Sequence, residues 1–401
     1  MAGPLLPVSE ALSRLLARAR PMTATEVLDL RQAAGRVLAE DLVARLTQPP
    51  FHSSAMDGYA LRAEDAPEIG TVLTVIGQSA AGHAFSRKVG QGEAVRIFTG
   101  APVPEGADTV LIQEDAEKLN DNRIRTTFAV TVGRHIRPRG QDFAEGEVVL
   151  SAGTLLDAAH VTVAAAMNHP GICVYRRPRI ALIATGDELV APGGMPRPDQ
   201  IIASNTFGVA ALIEAAGGEV LDLGIVGDDR NLIEAAISRA VEAQVDVLVT
   251  LGGASVGDHD LVQASLKAKG MELDFWRIAM RPGKPLMVGS LGAMQVLGLP
   301  GNPVASLVCG LLFLEPLVAT LARRPLHDRS GSAVAATTLS ANDQRQDYLR
   351  ARLSRDNQGR LVAEAFGKQD SSMMKIFAQS DALIVRPPHA PELPAGSPCP
   401  M

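Results

Sequence analysis

Asp246-Val247-Leu248-Val249-Thr250-Leu251-Gly252-Gly253-Ala254-Ser255-Val256-Gly257-Asp258 decides the fold. A short apolar run rich in β-branched residues passes directly into a glycine-rich loop, and a helical pattern follows over 258–269. Glycines after a strand let backbone N–H groups come close to a ligand, and such loops suit anions and phosphates. Three further loops interrupt apolar runs in the same way. They are Thr185-Gly186-Asp187-Glu188 after the run 180–184, Arg281-Pro282-Gly283-Lys284-Pro285, and Leu299-Pro300-Gly301-Asn302-Pro303. Arg281 and Lys284 add positive charge to this set, while Asp187, Glu188, Asp258 and Asp260 add negative charge. A pocket holding both signs suits an anionic ligand handled with a divalent cation.

The pattern around these loops alternates. Strands are expected at 180–184, 219–226, 246–251 and 273–279, helices at 205–216, 230–243, 258–269 and 303–322, and a hairpin at 285–299. Alternating βα order argues a mostly parallel sheet with helices on both faces and ligands at the carboxyl ends of its strands. After Arg323-Arg324-Pro325 the chain reads as a small β domain with strands near 348–353 and 382–385. Upstream, helices are expected at 8–19, 24–34 and 154–168, and the intervening segment carries short β-type runs such as 72–76 and 94–97. That places a β-rich insertion inside a helical domain.

Composition narrows the function. A chain of 401 residues predicts two to four domains, and 46% apolar with 20% charged residues fits a globular protein with a sizeable core. A net charge of −6 and 3% aromatic residues argue against a nucleic-acid partner. Cys173, Cys309 and Cys399 are widely spaced, which points to buried thiols in a reducing compartment, the cytoplasm, and to neither disulfides nor zinc. The N-terminus, with Leu12, Leu15, Leu16 and Ala19 at helical spacing between arginines, reads as an amphipathic helix and not as a signal peptide. The run 303–322 is long enough for a membrane span, but Glu315 and Pro316 would lie in its middle. Asn302 before Pro303 gives it the start of a buried helix instead.

Single motifs leave alternatives open. Gly253-Ala254-Ser255-Val256-Gly257 also fits the nucleophile elbow of a serine hydrolase, although His327 and His389 are poorly placed as triad partners. Each loop also has a plain turn reading, as do Asp57-Gly58, Thr99-Gly100 and Gly140-Gln141-Asp142. The histidines at 52, 83, 135, 160 and 169 show no metal-ligand spacing.

The ordered set is more specific than its members. Ser53-Ser54-Ala55-Met56-Asp57-Gly58-Tyr59-Ala60, Arg96-Ile97-Phe98-Thr99-Gly100-Ala101-Pro102-Val103-Pro104, Thr185-Gly186-Asp187-Glu188-Leu189, the loop 252–260, Arg281-Pro282-Gly283-Lys284-Pro285 and Leu299-Pro300-Gly301-Asn302-Pro303 follow one another in the chain. With them the sequence resembles the molybdopterin molybdenumtransferases, the MoeA-type enzymes related to the E domain of gephyrin, over about 8–390. The resemblance implies an α/β multidomain chain. It would comprise a helical linking domain (1–45 and 145–177), a β-rich insertion domain (46–144), an αβα mostly parallel-sheet molybdopterin-binding domain (178–327) and a small C-terminal β domain (328–401).

It also implies insertion of molybdate into adenylylated molybdopterin with release of AMP, in the presence of Mg²⁺. The implied partners are a second copy of the chain in a homodimer that shares its sites, a molybdopterin adenylyltransferase and molybdoenzyme acceptors, with no nucleic acid and no membrane. A molybdopterin-binding homologue without transferase activity is the alternative. Carried over by position, the catalytic set is Asp57, Thr99, Asp142, Glu188, Asp228 and Asp260, with Asp228 and Asp260 for the metal. Substrate contacts fall on Thr185, Gly186, Asp187, Ser204, Asn205, Gly252, Gly253, Ser255, Gly257 and Asp258. They continue through Arg277, Arg281, Gly283, Lys284, Pro285, Pro300, Gly301, Asn302 and Pro303 to Arg350 and Ser371 of the small β domain. Arg281, Lys284 and Ser255 would hold molybdate. Arg277 and Arg281 stand where the family commonly has lysine, and Ala305 where it often has serine.

Overall fold

The computed structural model describes residues 5–252 and 261–401. The chain forms two compact units, one of residues 1–26 and 175–401, the other of 27–174.

The first unit is built on a six-stranded sheet. Its strands are β1 (Arg179–Thr185), β2 (Glu219–Val226), β3 (Val247–Leu251), β4 (Glu272–Arg277), β5 (Pro285–Leu291) and β6 (Met294–Leu299). The spatial order is β2-β1-β3-β6-β5-β4. β2, β1, β3 and β6 are parallel, while β5 runs antiparallel to both β6 and β4. Side chains alternate across the pleat, and both faces are covered. Ile180, Leu182 and Ala184 pack with the helices Val8–Ala17, Asn205–Ala215 and the long apolar helix. Ala181 and Ile183 pack with the helices Arg230–Glu242 and Leu261–Ala268.

The apolar run 303–321 is helical throughout, with a π-helical turn at Gly310–Leu314, and 72% of its most apolar window is buried inside the protein. Pro303 at its first position needs no backbone hydrogen-bond partner, which is why the helix opens there. The small β domain joins the same unit. Its long strand Gln346–Arg355 lies between Met280–Arg281 and Leu361–Ala365 and also pairs with Ala382–Arg386, and Tyr348 enters the main core.

The second unit carries a six-stranded sheet in the order Thr109–Ile112, Gly58–Leu61, Glu93–Ile97, Val72–Ser79, Arg123–Thr126, Ala116–Lys118. Three elements of the linking segments differ from expectation. Residues 24–34 are not helical, because Thr25–Asp29 pairs with Gly171–Tyr175 as a two-stranded sheet and only Leu30–Gln32 turns as a 3₁₀ helix under the Asp29 cap. Ladder pairing here outweighs the helical propensity of Leu28, Leu30 and Ala33. The helix expected over 154–168 begins at Ala158, where the Asp157 carboxylate accepts from the His160 N–H. The helix Val8–Ala17 belongs with the α/β unit, where Ala11 and Leu15 are buried in the main core, rather than with the linking segments.

Candidate active site

The strand order reverses between β1 and β3, where β1 is followed on one side by β2 and on the other by β3. Open α/β sheets bind ligands outside the carboxyl ends of their strands at such a point. A cavity of about 1320 Å³ lies there. Thr185, Gly186 and Glu188 enter it from the end of β1, Asp228 from the end of β2 and Gly252 from the end of β3. Pro300, Gly301, Asn302 and Pro303 come from the end of β6. Because β5 runs the other way, its starting end also faces this edge and brings Arg281, Gly283, Lys284 and Pro285. Ser204 and Asn205 line the cavity at the start of their helix, and Ser371 lines it from the small β domain.

Glycine is required where two of these loops meet. Gly252 has φ +97°, and a Cβ there would come within 2.8 Å of the Thr185 carbonyl oxygen. Gly283 has φ +113°, and a Cβ there would come within 2.5 Å of the Cys309 sulfur beneath it. The Cys309 thiol is fully buried, donates to the Gly283 carbonyl at 3.8 Å, and is pushed well above the usual thiol range by that burial.

Three residues expected to touch substrate do not line this cavity among the described residues. Asp187 turns from it and accepts the Asp228 backbone N–H at 3.0 Å. Arg277 stacks over Trp276 at 5.2 Å. Arg350 is fully buried and hydrogen-bonds the Gln369 side chain at 3.0 Å and the Asp370 carbonyl at 3.1 Å, so it supports the wall that Gln369 and Ser371 present. Burial pulls its guanidinium below the usual arginine value, against the charge of Asp370.

Gly253, Ser255, Gly257, Asp258 and Asp260 lie outside the described residues. Arg345, Gln369, Asp370 and Ser372 line the cavity without having been anticipated. Asp370-Ser371-Ser372 is a local turn motif visible in the sequence, with the Asp370 carboxylate accepting from both the N–H and the hydroxyl of Ser372.

In the β-rich unit, Asp57 and Thr99 meet. One Asp57 carboxylate oxygen accepts the Thr99 N–H at 2.7 Å and its hydroxyl at 2.8 Å. The two bonds from Thr99 hold this exposed carboxyl below the usual aspartate range, with Arg96 adding to the effect. Asp142 sits on a separate turn and donates its N–H to the Gln48 carbonyl at 3.0 Å.

No group of three or more His, Cys, Asp or Glu residues suited to a metal occurs among the described residues. Asp228 and Glu188 nevertheless line one cavity. Mg²⁺ keeps several waters and needs only one or two carboxylates beside a phosphate, so this donor set fits it.

Three family models match the chain in succession: the MoeA N-terminal region (domains I and II) over 6–168, a probable molybdopterin binding domain over 181–320, and the MoeA C-terminal region (domain IV) over 332–401. The molybdopterin molybdenumtransferase of Haemophilus influenzae is 36% identical over 386 residues, covering 95% of this chain and 94% of its own length. That of Bacillus subtilis is 33% identical over 392 residues, covering 95% and 90%. A crystal structure of the molybdopterin biosynthesis moea protein from Pyrococcus horikosii superposes with a TM-score of 0.81 at 29% identity, covering 99% of this chain and 98% of that one. The chain therefore belongs to the molybdopterin molybdenumtransferases, transferases of molybdenum cofactor biosynthesis.

Proposed function

We propose that the cavity takes adenylylated molybdopterin and molybdate, inserts the metal into the pterin and releases AMP. One observation carries this reading: Lys284, Asp228 and Glu188 line the same cavity, where four strand-end loops converge. The Gly186 and Gly252 N–H groups are taken by the Val226 and Leu299 carbonyls, so among these glycines Gly301 is the one that would let backbone N–H approach phosphate oxygens closely. Lys284 offers a point charge to tetrahedral molybdate. Asp228 and Glu188 would hold Mg²⁺, which when bound neutralises the phosphate charge that otherwise opposes cleavage of the adenylate link. The Arg350–Gln369 contact supports the stretch of wall to which Ser371 belongs. The working form in this reading is a cytoplasmic homodimer.

The test is direct. Purified protein incubated with adenylylated molybdopterin, molybdate and Mg²⁺ should release AMP and yield a cofactor that activates a molybdenum-free acceptor enzyme. Retention of the pterin without AMP release would identify a non-catalytic binding protein. Light scattering should give twice the chain mass of 42.1 kDa.

A further inference from the structure

Two cations sit three positions apart on the cavity rim, yet their surroundings differ. Arg281 ends the two-residue strand Met280–Arg281, which runs parallel to Gln346–Arg355 with Arg281 opposite Asp347. Its guanidinium is ion-paired with Asp347, lies 3.4 Å from Asp343 Oδ2 and donates to Asn342 Oδ1 at 3.4 Å. The Asp347 side chain is only 6% exposed, and its second oxygen is buried with no hydrogen-bond partner among the described residues. Removing Arg281 would leave that buried carboxylate uncompensated. Arg345, also on the cavity wall, is likewise engaged, reaching Asp343 at 3.2 Å. The Lys284 side chain lines the same cavity and makes no hydrogen bond or ion pair among the described residues. The charge of Arg281 is thus already offset by two carboxylates, whereas Lys284 pairs with none among the described residues.

We propose that Arg281 is a positioning residue: it fastens the cavity rim to the small β domain through Asp347 and so sets the place of Lys284, which receives the oxyanion. This rests on the reading of the cavity as the molybdate site. The guanidinium meets Asp343 with one terminal nitrogen and Asp347 and Asn342 with the other, a spread that the single nitrogen of a lysine does not reproduce.

The experiment compares Arg281→Gln, Arg281→Lys, Asp347→Asn, the Arg281→Gln/Asp347→Asn double variant and Lys284→Gln in the full chain, by thermal melting and by the molybdate concentration giving half-maximal AMP release. Arg281→Gln and Asp347→Asn should each lower Tm, the double variant should lose less than the sum, and Arg281→Lys should recover part of the loss. Lys284→Gln should leave Tm in place and raise half-saturating molybdate at least about tenfold, with Arg281→Gln shifting it by less than about threefold. Additive melting losses, or an Arg281→Gln variant that keeps its Tm and needs as much molybdate as Lys284→Gln, would overturn the proposal. If the wild-type protein releases no AMP at any molybdate concentration, the reading of the cavity fails, while the melting cycle still decides whether Arg281 is the tie.

Discussion

Oδ1 of Asp187 accepts the backbone N–H of Asp228 at 3.0 Å, joining the loop after β1 to the loop after β2. The carboxylate that reads in sequence as a substrate contact thus orients the loop carrying another. An acceptor oxygen is all this bond requires. Asp187→Asn should keep most activity, whereas Asp187→Ala should lower AMP release about 10- to 100-fold, the range typical of lost supporting contacts around metal ligands. Equal losses in both variants would show that the charge of Asp187 acts directly.

The Asp228 carboxylate lines the cavity with Glu188. Asp228→Asn should raise the Mg²⁺ concentration needed for AMP release, and chelation should stop release in the wild-type protein while pterin binding, followed by fluorescence, persists. Undiminished AMP release after exhaustive chelation would remove the metal from the reaction.

Asp57 ties two turns of the β-rich unit through Thr99. Its carboxyl lies lower in the folded protein than its ordinary value of 3.8. The stabilisation is therefore present above that value and lost as pH falls below it through the folded pKa. Thr99→Val removes the hydroxyl bond but keeps the N–H, so its Tm should fall at neutral pH and converge on that of the wild type at acid pH. A constant gap across the titration would mean that Thr99 matters only through packing.

Gly252 stands where the end of β3 touches the end of β1. Gly252→Ala combines a left-handed backbone with a Cβ that would meet the Thr185 carbonyl oxygen, and should cost about 1–3 kcal/mol of stability. Pterin binding should weaken along with it, since both loops line the cavity. Urea unfolding and fluorescence titration of the same preparation measure the two effects, and a variant as stable as wild type would show that the loops have room to separate.

The α/β unit was legible because strands buried on two faces and helices buried on one leave different periods in the sequence. Ile180 to Ala184 is unbroken apolar sequence with helices on each side, and 303–321 is apolar because its helix is buried in the core. The strand Thr25–Asp29 was not legible, since its partner Gly171–Tyr175 is remote in sequence and no local spacing announces the ladder. The cavity followed from glycine, proline and charge at strand ends. The division of labour within it did not. Nothing near Asp187 in the chain signals that its acceptor serves residue 228, and nothing near Arg281 signals Asp347. Such pairings are settled by which strands lie side by side, and composition around a single residue carries no record of that.

Cys309 lies beneath Gly283 with no solvent-accessible surface, and its burial suppresses the thiolate. A thiol reagent can reach it only when the packing around it opens, and the segment bearing Gly283 and Lys284 is part of that packing. The unmodified enzyme thus carries its own clock for rim opening. Its alkylation rate, read against the partly accessible Cys173 as an internal standard, counts opening events directly, and a molybdate-loaded rim should run that clock more slowly.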